Sequence, residues 1–192
     1  MGKTSLAMNI AEYMVLHGSS GAVFSMEMPA SQLGSRLLAS MGRVSMQKMR
    51  NGQLHNDDWP KLTSAVAAIA EKNLQIDDTP ALNILELRSK ARRMASRSNG
   101  LDFIVIDYLQ LMSGNSAENR TGQLSTITRG LKALAKELDC PIFCLSQLNR
   151  GLEQRPNKRP VMSDLRESGA IEQDADIIMF VYRHEVYEPE TD

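Results

Sequence analysis

The chain has few cysteines and histidines, two and three among 192 residues. Cys140 and Cys144 lie four positions apart in a strand-like segment, where an extended backbone would separate them by roughly 13 Å. That separation is too large for a disulfide. His17, His55 and His184 show no metal-ligand spacing to one another or to the cysteines. We therefore expect neither a disulfide nor a zinc-type site, and we interpret all five side chains as structural or surface groups.

Long apolar runs and a strong net charge are also lacking. No run approaches the roughly 20 residues that a membrane-spanning helix needs, and no charged-then-apolar signal segment opens the chain. The net charge of −1 creates no overall basic field that would require nucleic acid as a partner. With 42% hydrophobic residues the chain can form one domain with a core. We expect a soluble protein without a membrane partner, located in the cytoplasm.

The first residues correspond to the end of a phosphate-binding motif. Met1-Gly2-Lys3-Thr4 matches the last part of G-x-x-x-x-G-K-[ST], in which backbone N–H groups surround phosphates, the lysine reaches the β/γ oxygens and the hydroxyl binds Mg²⁺. A Gly-Lys-Ser/Thr tripeptide alone arises by chance in about 10% of chains of this length. The residues that follow support the motif. Leu6, Ile10, Tyr13 and Met14 recur at helical spacing and form an apolar stripe, which predicts a helix directly after the motif.

A second segment, residues 103–107, is an apolar run that ends in the carboxylate Asp107. This pattern is typical of a buried parallel strand that presents an acid at its carboxyl end, where open α/β sheets bind nucleotides. In phosphate-loop enzymes such an acid holds Mg²⁺. A core strand can also end in a merely solvated aspartate. The two motifs in this order nevertheless favour a nucleoside triphosphatase.

Polar residues end two further strand-like segments. Glu27 follows the first segment and Gln147 follows the fourth. A carboxylate beside a γ-phosphate can orient and deprotonate the attacking water, and a glutamine amide can contact the phosphate and report its loss. Each residue alone would be an ordinary strand end. Together with Lys3, Thr4 and Asp107 they complete a set of groups suited to hydrolysis.

Strand-like and helical segments alternate along the chain. The strand-like segments lie near 22–26, 74–77, 102–107, 141–146 and 177–182. The helical segments lie near 3–17, 30–41, 57–72, 83–97, 121–138 and 164–173. This alternation predicts an α/β fold with a mostly parallel sheet and helices on both faces. The loops after the third and fourth strands should leave the sheet at the same edge as Lys3 and Asp107.

Five segments together resemble the C-terminal motor domain of replicative hexameric DNA helicases of the DnaB type. They are the phosphate loop and residues 24–29, 104–112, 146–150 and 163–176. The resemblance covers essentially residues 1–192, and residues 163–176 are its most specific part, because other RecA-like ATPases share the first motifs but not this one. It implies a RecA-like P-loop ATPase core that uses ATP and Mg²⁺.

The resemblance also implies individual roles. Glu27 would be the catalytic base, assisted by Lys3, and Gln147 would be a γ-phosphate sensor coupled to DNA. The nucleotide would be bound by Gly2, Lys3, Thr4, Arg36 and Asp107. Of these, Thr4 and Asp107 would hold the metal.

A DNA-binding loop is implied at Arg166, Glu167 and Gly169. Arg166 would supply a counter-charge to a phosphate, and the turn around Gly169 would let backbone N–H groups approach phosphate oxygens. Glu167 is acidic, so a DNA contact would use its main chain. From the residues alone, an exposed ion pair at a helix start would be the preferred interpretation of Arg166 and Glu167.

At the level of assembly, the resemblance implies a homohexameric ring that hydrolyses ATP between subunits, translocates on single-stranded DNA and unwinds forked DNA. Primase and a helicase loader would be partners of a longer protein. The strand before the phosphate loop, the first part of that loop and the arginine-finger segment are not in the sequence. We therefore expect a domain truncated at both ends that hydrolyses almost no ATP by itself. Two alternatives stay open: a RecA-like DNA-binding ATPase without unwinding activity, and a non-catalytic module that oligomerises or binds a loader.

Overall fold

Among the residues that the structure describes, the sheet is parallel and has four strands. The computed structural model describes residues 2–114 and 119–187, apart from the side chains of residues 150 and 166–168. The strand order is β2-β1-β3-β4, and the strands are β1 (Gly21–Ser25), β2 (Leu74–Asp77), β3 (Phe103–Asp107) and β4 (Ile142–Cys144). Because the strands are parallel, their carboxyl ends meet at one edge, where a nucleotide site is expected.

The helices follow most of the expected boundaries. They are α1 (Lys3–Leu16), α2 (Ala30–Met41), α3 (Met46–Asn51), α4 (Asp58–Ala70), α5 (Ile84–Arg97), α6 (Arg120–Leu138) and α7 (Gly169–Asp174). The short α3 was not predicted. The predicted helix over 164–173 is divided into a 3₁₀ segment, Met162–Ser168, and α7.

Helices cover both faces of the sheet, as predicted. Val23 of β1 and Val105 of β3 pack against α1 and α2 on one face. Phe24 and Ile106 point to the other face and pack against α5 and α6. Both strands are buried along their whole length, which explains why their sequences are continuous apolar runs without polar alternation.

The predicted helix α1 is confirmed, but only part of its predicted apolar stripe packs against the sheet, where Met14 is partly buried. Leu6 is 43% exposed and Tyr13 is 65% exposed. The side chains of α1 that are buried against the sheet are instead Ala7, Met8, Ala11 and Val15. The two alanines are small enough to let the helix backbone approach the sheet closely, and Leu6 and Tyr13 lie on the exposed side of α1.

The strand predicted over 177–182 is also wrong. Among the described residues this segment has no hydrogen-bonded partner strand. A strand exists only where its backbone groups pair with a neighbour, and here Ile177 and Met179 remain largely exposed. The segment passes beside the phosphate loop, since Val181 Cγ1 is the nearest described atom to the Cβ position of Gly2, at 3.9 Å.

Cys140 and Cys144 are both free thiols, as expected. Within residues 2–114 and 119–187, no helix has the length and apolar character needed to cross a bilayer. No group of three or more potential metal-ligating His, Cys, Asp or Glu side chains occurs in that same part of the chain.

Candidate active site

The phosphate loop leads directly into α1. Gly2 precedes the helix with a φ of 97°, a left-handed conformation that favours glycine. No described side chain caps the first turn of α1. The N–H groups of this turn therefore point out of the helix without a capping oxygen from those residues, and they lie at the positive end of the helix dipole. An anion such as a phosphate fits this position.

Thr4 and Asp107 form the centre of the site. The Thr4 hydroxyl donates a hydrogen bond to Asp107 Oδ2 at 2.8 Å. Asp107 is 2% exposed at the end of β3, and its Oδ1 is buried without a hydrogen-bond donor among the described residues. A hydroxyl beside a carboxylate with an unsatisfied oxygen is a set of hard oxygen ligands, which Mg²⁺ prefers. These two residues therefore fit the metal that the motif implies.

The Lys3 ammonium lies near two carboxylates but is too far from either for a hydrogen bond. Its Nζ atom is 3.8 Å from Glu27 Oε2 and 3.9 Å from Asp107 Oδ1, and it lies 3.5 Å from the ring centroid of Tyr108. Burial lowers the pKa of Lys3 below its usual value, although Asp107 and then Glu27 act in the opposite direction. Both carboxylate distances exceed a hydrogen bond. The ammonium group therefore keeps its capacity to bind phosphate oxygens.

A tight turn after β1 positions Glu27. Ser25, which is buried, donates a hydrogen bond from Oγ to the carbonyl oxygen of Met28 at 2.7 Å and accepts one from the Met28 N–H at 3.2 Å. The Met26 N–H donates to the carbonyl oxygen of Asp107 at 2.8 Å. These bonds hold the turn against β3. The Glu27 side chain, 47% exposed, can therefore reach a water molecule in front of the sheet edge.

Arg36 lies on α2, and Gln147 follows β4. Arg36 on α2 lines a cavity of about 370 Å³ that α1 also lines with Ser5, the residue after Thr4. Gln147 follows β4 and is exposed, and its main-chain N–H donates to Gln110 Oε1 at 3.1 Å. The structure therefore brings Lys3, Thr4, Glu27 and Asp107 together. It places Arg36 beside the first turns of α1 and Gln147 at the same sheet edge.

The predicted DNA-binding residues lie farther along the chain. Arg166 and Glu167 belong to the Met162–Ser168 segment, and their side chains are outside the described part of the structure. Gly169 begins α7 with a φ of −51° and is exposed, and a Cβ atom built there would meet none of the described atoms within 4 Å. Any residue can adopt this backbone conformation, so Gly169 keeps the surface open but is not required by the turn itself.

Sequence reasoning missed Tyr108, which contacts Lys3 in the site, and Gln110, which lies outside the site and contacts the main chain of Gln147. Both lie in residues 104–112, a segment that carried the family resemblance, so the signal was present. Their roles depend on how the chain turns after β3, which places the Tyr108 ring beside Lys3 and the Gln110 amide beside Gln147. Apolar periodicity contains no information about such a turn.

The comparisons with known proteins agree on one family. The family model for the DnaB-like helicase C terminal domain matches residues 1–192. The chain is 52% identical over 195 residues to Replicative DNA helicase DnaB of Buchnera aphidicola subsp. Acyrthosiphon pisum (strain APS), covering 100% of the chain and 42% of that protein. It is 55% identical over 191 residues to Replicative DNA helicase DnaB of Pasteurella multocida (strain Pm70), covering 97% and 41%. The chain thus spans about two fifths of the length of these relatives.

Two solved structures are similar over the whole chain. One, described as an ATPase domain, has a TM-score of 0.96 and 39% sequence identity, and the match covers 100% of this chain and 69% of that one. The other, described as "The Structure Of A DnaB-Like Replicative Helicase And Its Interactions With Primase", has a TM-score of 0.95 and 39% identity, with coverage of 100% and 47%. The predicted α/β, RecA-like ATPase fold is confirmed.

Proposed function

Since this chain belongs to the family of DnaB-like helicase C-terminal domains, we propose that it is the ATP-driven motor of a replicative DNA helicase. The observation that carries the proposal is the convergence of the Glu27 and Asp107 carboxylates within 3.9 Å of Lys3 Nζ, with Thr4 bonded to Asp107. This arrangement supports hydrolysis of a nucleoside triphosphate.

Binding of the triphosphate uses the start of α1. The N–H groups that follow Gly2 and the Lys3 ammonium bind phosphate oxygens, and Thr4 and Asp107 are the residues that would hold Mg²⁺. When bound there, Mg²⁺ would neutralise part of the phosphate charge. Arg36 contacts the nucleotide from the cavity beside α1.

Hydrolysis depends on Glu27, and its coupling to DNA depends on Gln147. Glu27 accepts a proton from the attacking water as the water oxygen bonds to the γ-phosphorus and the bond to the leaving ADP oxygen breaks. Its carboxylate can do so because it is open to solvent and lies beside Lys3, which binds the phosphate. Gln147 contacts the γ-phosphate with its side-chain amide, and this contact is lost when phosphate leaves. The state of the nucleotide thereby changes the position of the segment after β4.

The mechanical output is movement of single-stranded DNA through a homohexameric ring with ATP at the subunit interfaces. Arg166, Glu167 and Gly169 contact the DNA backbone in the central channel, and forked DNA is the substrate for unwinding. Strand separation costs about 1.4 kcal/mol per base-pair step, so one ATP can support one or two steps. Primase and a helicase loader are the partners of the whole protein, and a similar structure is described with its primase interactions.

The test uses the full natural polypeptide and measures ATP hydrolysis, with and without single-stranded DNA, and unwinding of a forked duplex. Glu27→Gln removes the base but preserves shape. We expect it to bind ATP within about twofold of the parent and to lose at least about 100-fold in hydrolysis, since general-base catalysis contributes about that much. Unwinding should be lost with it. Glu71→Gln, an exposed change at the end of α4, is the matched control.

Other outcomes separate the alternatives. Intact ATP hydrolysis without unwinding would contradict the helicase proposal and favour a RecA-like DNA-binding ATPase. The variant Lys3→Ala tests the phosphate site directly. If it leaves nucleotide affinity unchanged, the phosphate site is not used, and a non-catalytic module is the better description.

A further inference from the structure

Gln110 makes a two-sided contact with the residue proposed as the γ-phosphate sensor. It lies in the 3₁₀ turn Leu109–Leu111 after β3. Its Nε2 donates hydrogen bonds to Ser146 Oγ at 2.8 Å and to the carbonyl oxygen of Gln147 at 3.2 Å. Its Oε1 accepts the Gln147 N–H at 3.1 Å. One side-chain amide therefore satisfies both the donor and the acceptor of the Gln147 main chain.

The geometry of the sheet explains why a side chain is needed there. The ladder between β3 and β4 ends near Ile106 and Cys144. Two further backbone hydrogen bonds extend it, from the Leu145 N–H to the Ile106 carbonyl oxygen and from the Leu109 N–H to the Leu145 carbonyl oxygen, both at 2.9 Å. After this point the chain following β3 turns into a 3₁₀ segment, whose backbone can no longer pair with a parallel neighbour. The Gln110 amide takes the place of the next step in the ladder.

The main chain of Gln110 is held by a different element. Arg120, the first residue of α6, donates from Nη2 to the Gln110 carbonyl oxygen at 2.7 Å and from Nη1 to the Met112 carbonyl oxygen at 3.4 Å. The side chain of Asn119 caps the same helix by accepting the Gly122 N–H at 2.8 Å. A continuous series of hydrogen bonds therefore joins the start of α6, Gln110 and Gln147.

We propose that Gln110 is a positioning residue that transmits the state of Gln147 to the start of α6. The inference rests on the proposed function, in which Gln147 contacts the γ-phosphate. Gln110 bonds to the main chain of Gln147 and does not engage its side-chain amide, which is the group that would contact the phosphate. It therefore sets where the sensor sits, and any displacement of Gln147 pulls on the turn that Arg120 holds.

The test is Gln110→Leu in the full natural polypeptide, a change that keeps the side-chain volume and removes its hydrogen bonds. We expect the KM for ATP and the DNA-free rate to stay within about twofold, because no group that touches nucleotide is lost. Stimulation of hydrolysis by single-stranded DNA should fall about tenfold, as expected for one or two lost hydrogen bonds. The DNA affinity measured with a non-hydrolysable ATP analogue, divided by the DNA affinity measured with ADP, should also fall about tenfold.

Gln75→Leu is the matched structural control. The Gln75 amide also joins two elements, donating to Ser98 Oγ at 2.7 Å and to the Met94 carbonyl oxygen at 3.3 Å, but it lies on β2 away from the nucleotide site. The Gln75→Leu variant should have a lower melting temperature than the parent and the same DNA stimulation of hydrolysis. An equal loss of stimulation in both variants would overturn the inference, because the effect would then follow from general destabilisation.

A double-mutant cycle with Gln147→Ala distinguishes the inference from the proposed function. If Gln110 acts through Gln147, the double variant should show the same DNA stimulation as Gln147→Ala alone. If the fold losses of stimulation in the two single variants instead multiply in the double variant, the inference is overturned. If Gln147→Ala uncouples DNA and Gln110→Leu does not, only the inference fails. If Gln147→Ala itself has no effect, the proposed sensor role fails first and the inference with it.

Discussion

At the scale of single residues, the site consists of charged groups that are close together but incompletely bonded. Lys3 is partly buried and lies just beyond hydrogen-bonding distance of both Glu27 and Asp107. The lowered pKa of Lys3 reflects the cost of removing its ammonium from water. The face of the Tyr108 ring offsets part of that cost through a cation–π contact. Phosphate oxygens would give Lys3 close hydrogen bonds in place of these longer contacts, so the site is prepared for an anion.

A prediction at this scale concerns the Thr4 hydroxyl. Thr4→Val keeps the branched shape and removes the group that bonds to Asp107 Oδ2. We expect the gain in nucleotide affinity on adding Mg²⁺ to fall about 10- to 100-fold, the usual cost in metal affinity of removing a group that holds the metal or orients its ligands. Calorimetric titration with and without Mg²⁺ measures this gain. Thr63→Val on α4 is the control, since its hydroxyl donates within its own helix to the Trp59 carbonyl oxygen. An unchanged Mg²⁺ effect in Thr4→Val would contradict the metal assignment.

At the scale of elements, small residues decide how closely strands and helices approach. Ala7 and Ala11 bring α1 against the sheet. Gly21, at the start of β1, lies beneath the Phe103 ring, and a Cβ atom built on it would be 2.1 Å from Phe103 Cζ. Phe103 is fully buried and belongs to the core between the sheet and α1. The ring therefore occupies the space that a side chain at position 21 would need.

Gly21→Ala should accordingly destabilise the fold by about 1–3 kcal/mol, the usual cost of overpacking a core. Gly34→Ala is the matched control, because Gly34 lies inside α2 with none of the described atoms within 4 Å of its Cβ position. That change should stabilise the fold by about 0.5–1 kcal/mol, since alanine is the better helix former. Denaturant unfolding measures both free energies. A neutral Gly21→Ala would contradict the packing described for Phe103.

At the scale of the whole molecule, ion pairs join helices that are distant in sequence. Glu137 on α6 accepts hydrogen bonds from Arg88 Nη2 at 2.6 Å and from Arg92 Nε at 2.5 Å. Lys90 on the same helix as these arginines bonds to Asp77 at the end of β2. These three basic residues of α5 are therefore used within the fold, and they hold α5 against α6 and the sheet.

This arrangement predicts a pH dependence. The hydrogen bond from Arg92, followed by that from Arg88, lowers the pKa of Glu137 from 4.5 to about 2. A carboxylate with a lowered folded-state pKa stabilises the fold above its unfolded pKa, and this contribution is lost as the pH falls from about 4.5 towards 2. Glu137→Gln should therefore show a shallower fall in melting temperature across this range. Glu71→Gln controls for the loss of one negative charge. If the melting temperatures of Glu137→Gln and of the parent fall equally with pH across this range, the lowered pKa of Glu137 is contradicted.

Much of the fold was predictable because its signals are local. The alternation of strands and helices and the position of Asp107 at a strand end follow from runs of adjacent residues. The site residues Lys3, Thr4 and Glu27 follow from motifs that lie at a sheet edge, and parallel strands meet at one edge by geometry. The roles assigned to all of these residues stay predictions, as do those of Gln147, Arg36, Gly169, Arg166 and Glu167; the side chains of the last two lie outside the described residues.

By itself, the sequence determined the order of the elements, the buried parallel strands and the four residues that meet at the active edge, because each depends on short segments and on chain direction. Only the tertiary structure decided which face of α1 is buried. It also decided that residues 177–182 have no partner strand among the described residues and that Gln110 contacts Gln147. These features depend on contacts between residues far apart in the chain. Local periodicity does not encode them, because the same pattern is compatible with several packing partners.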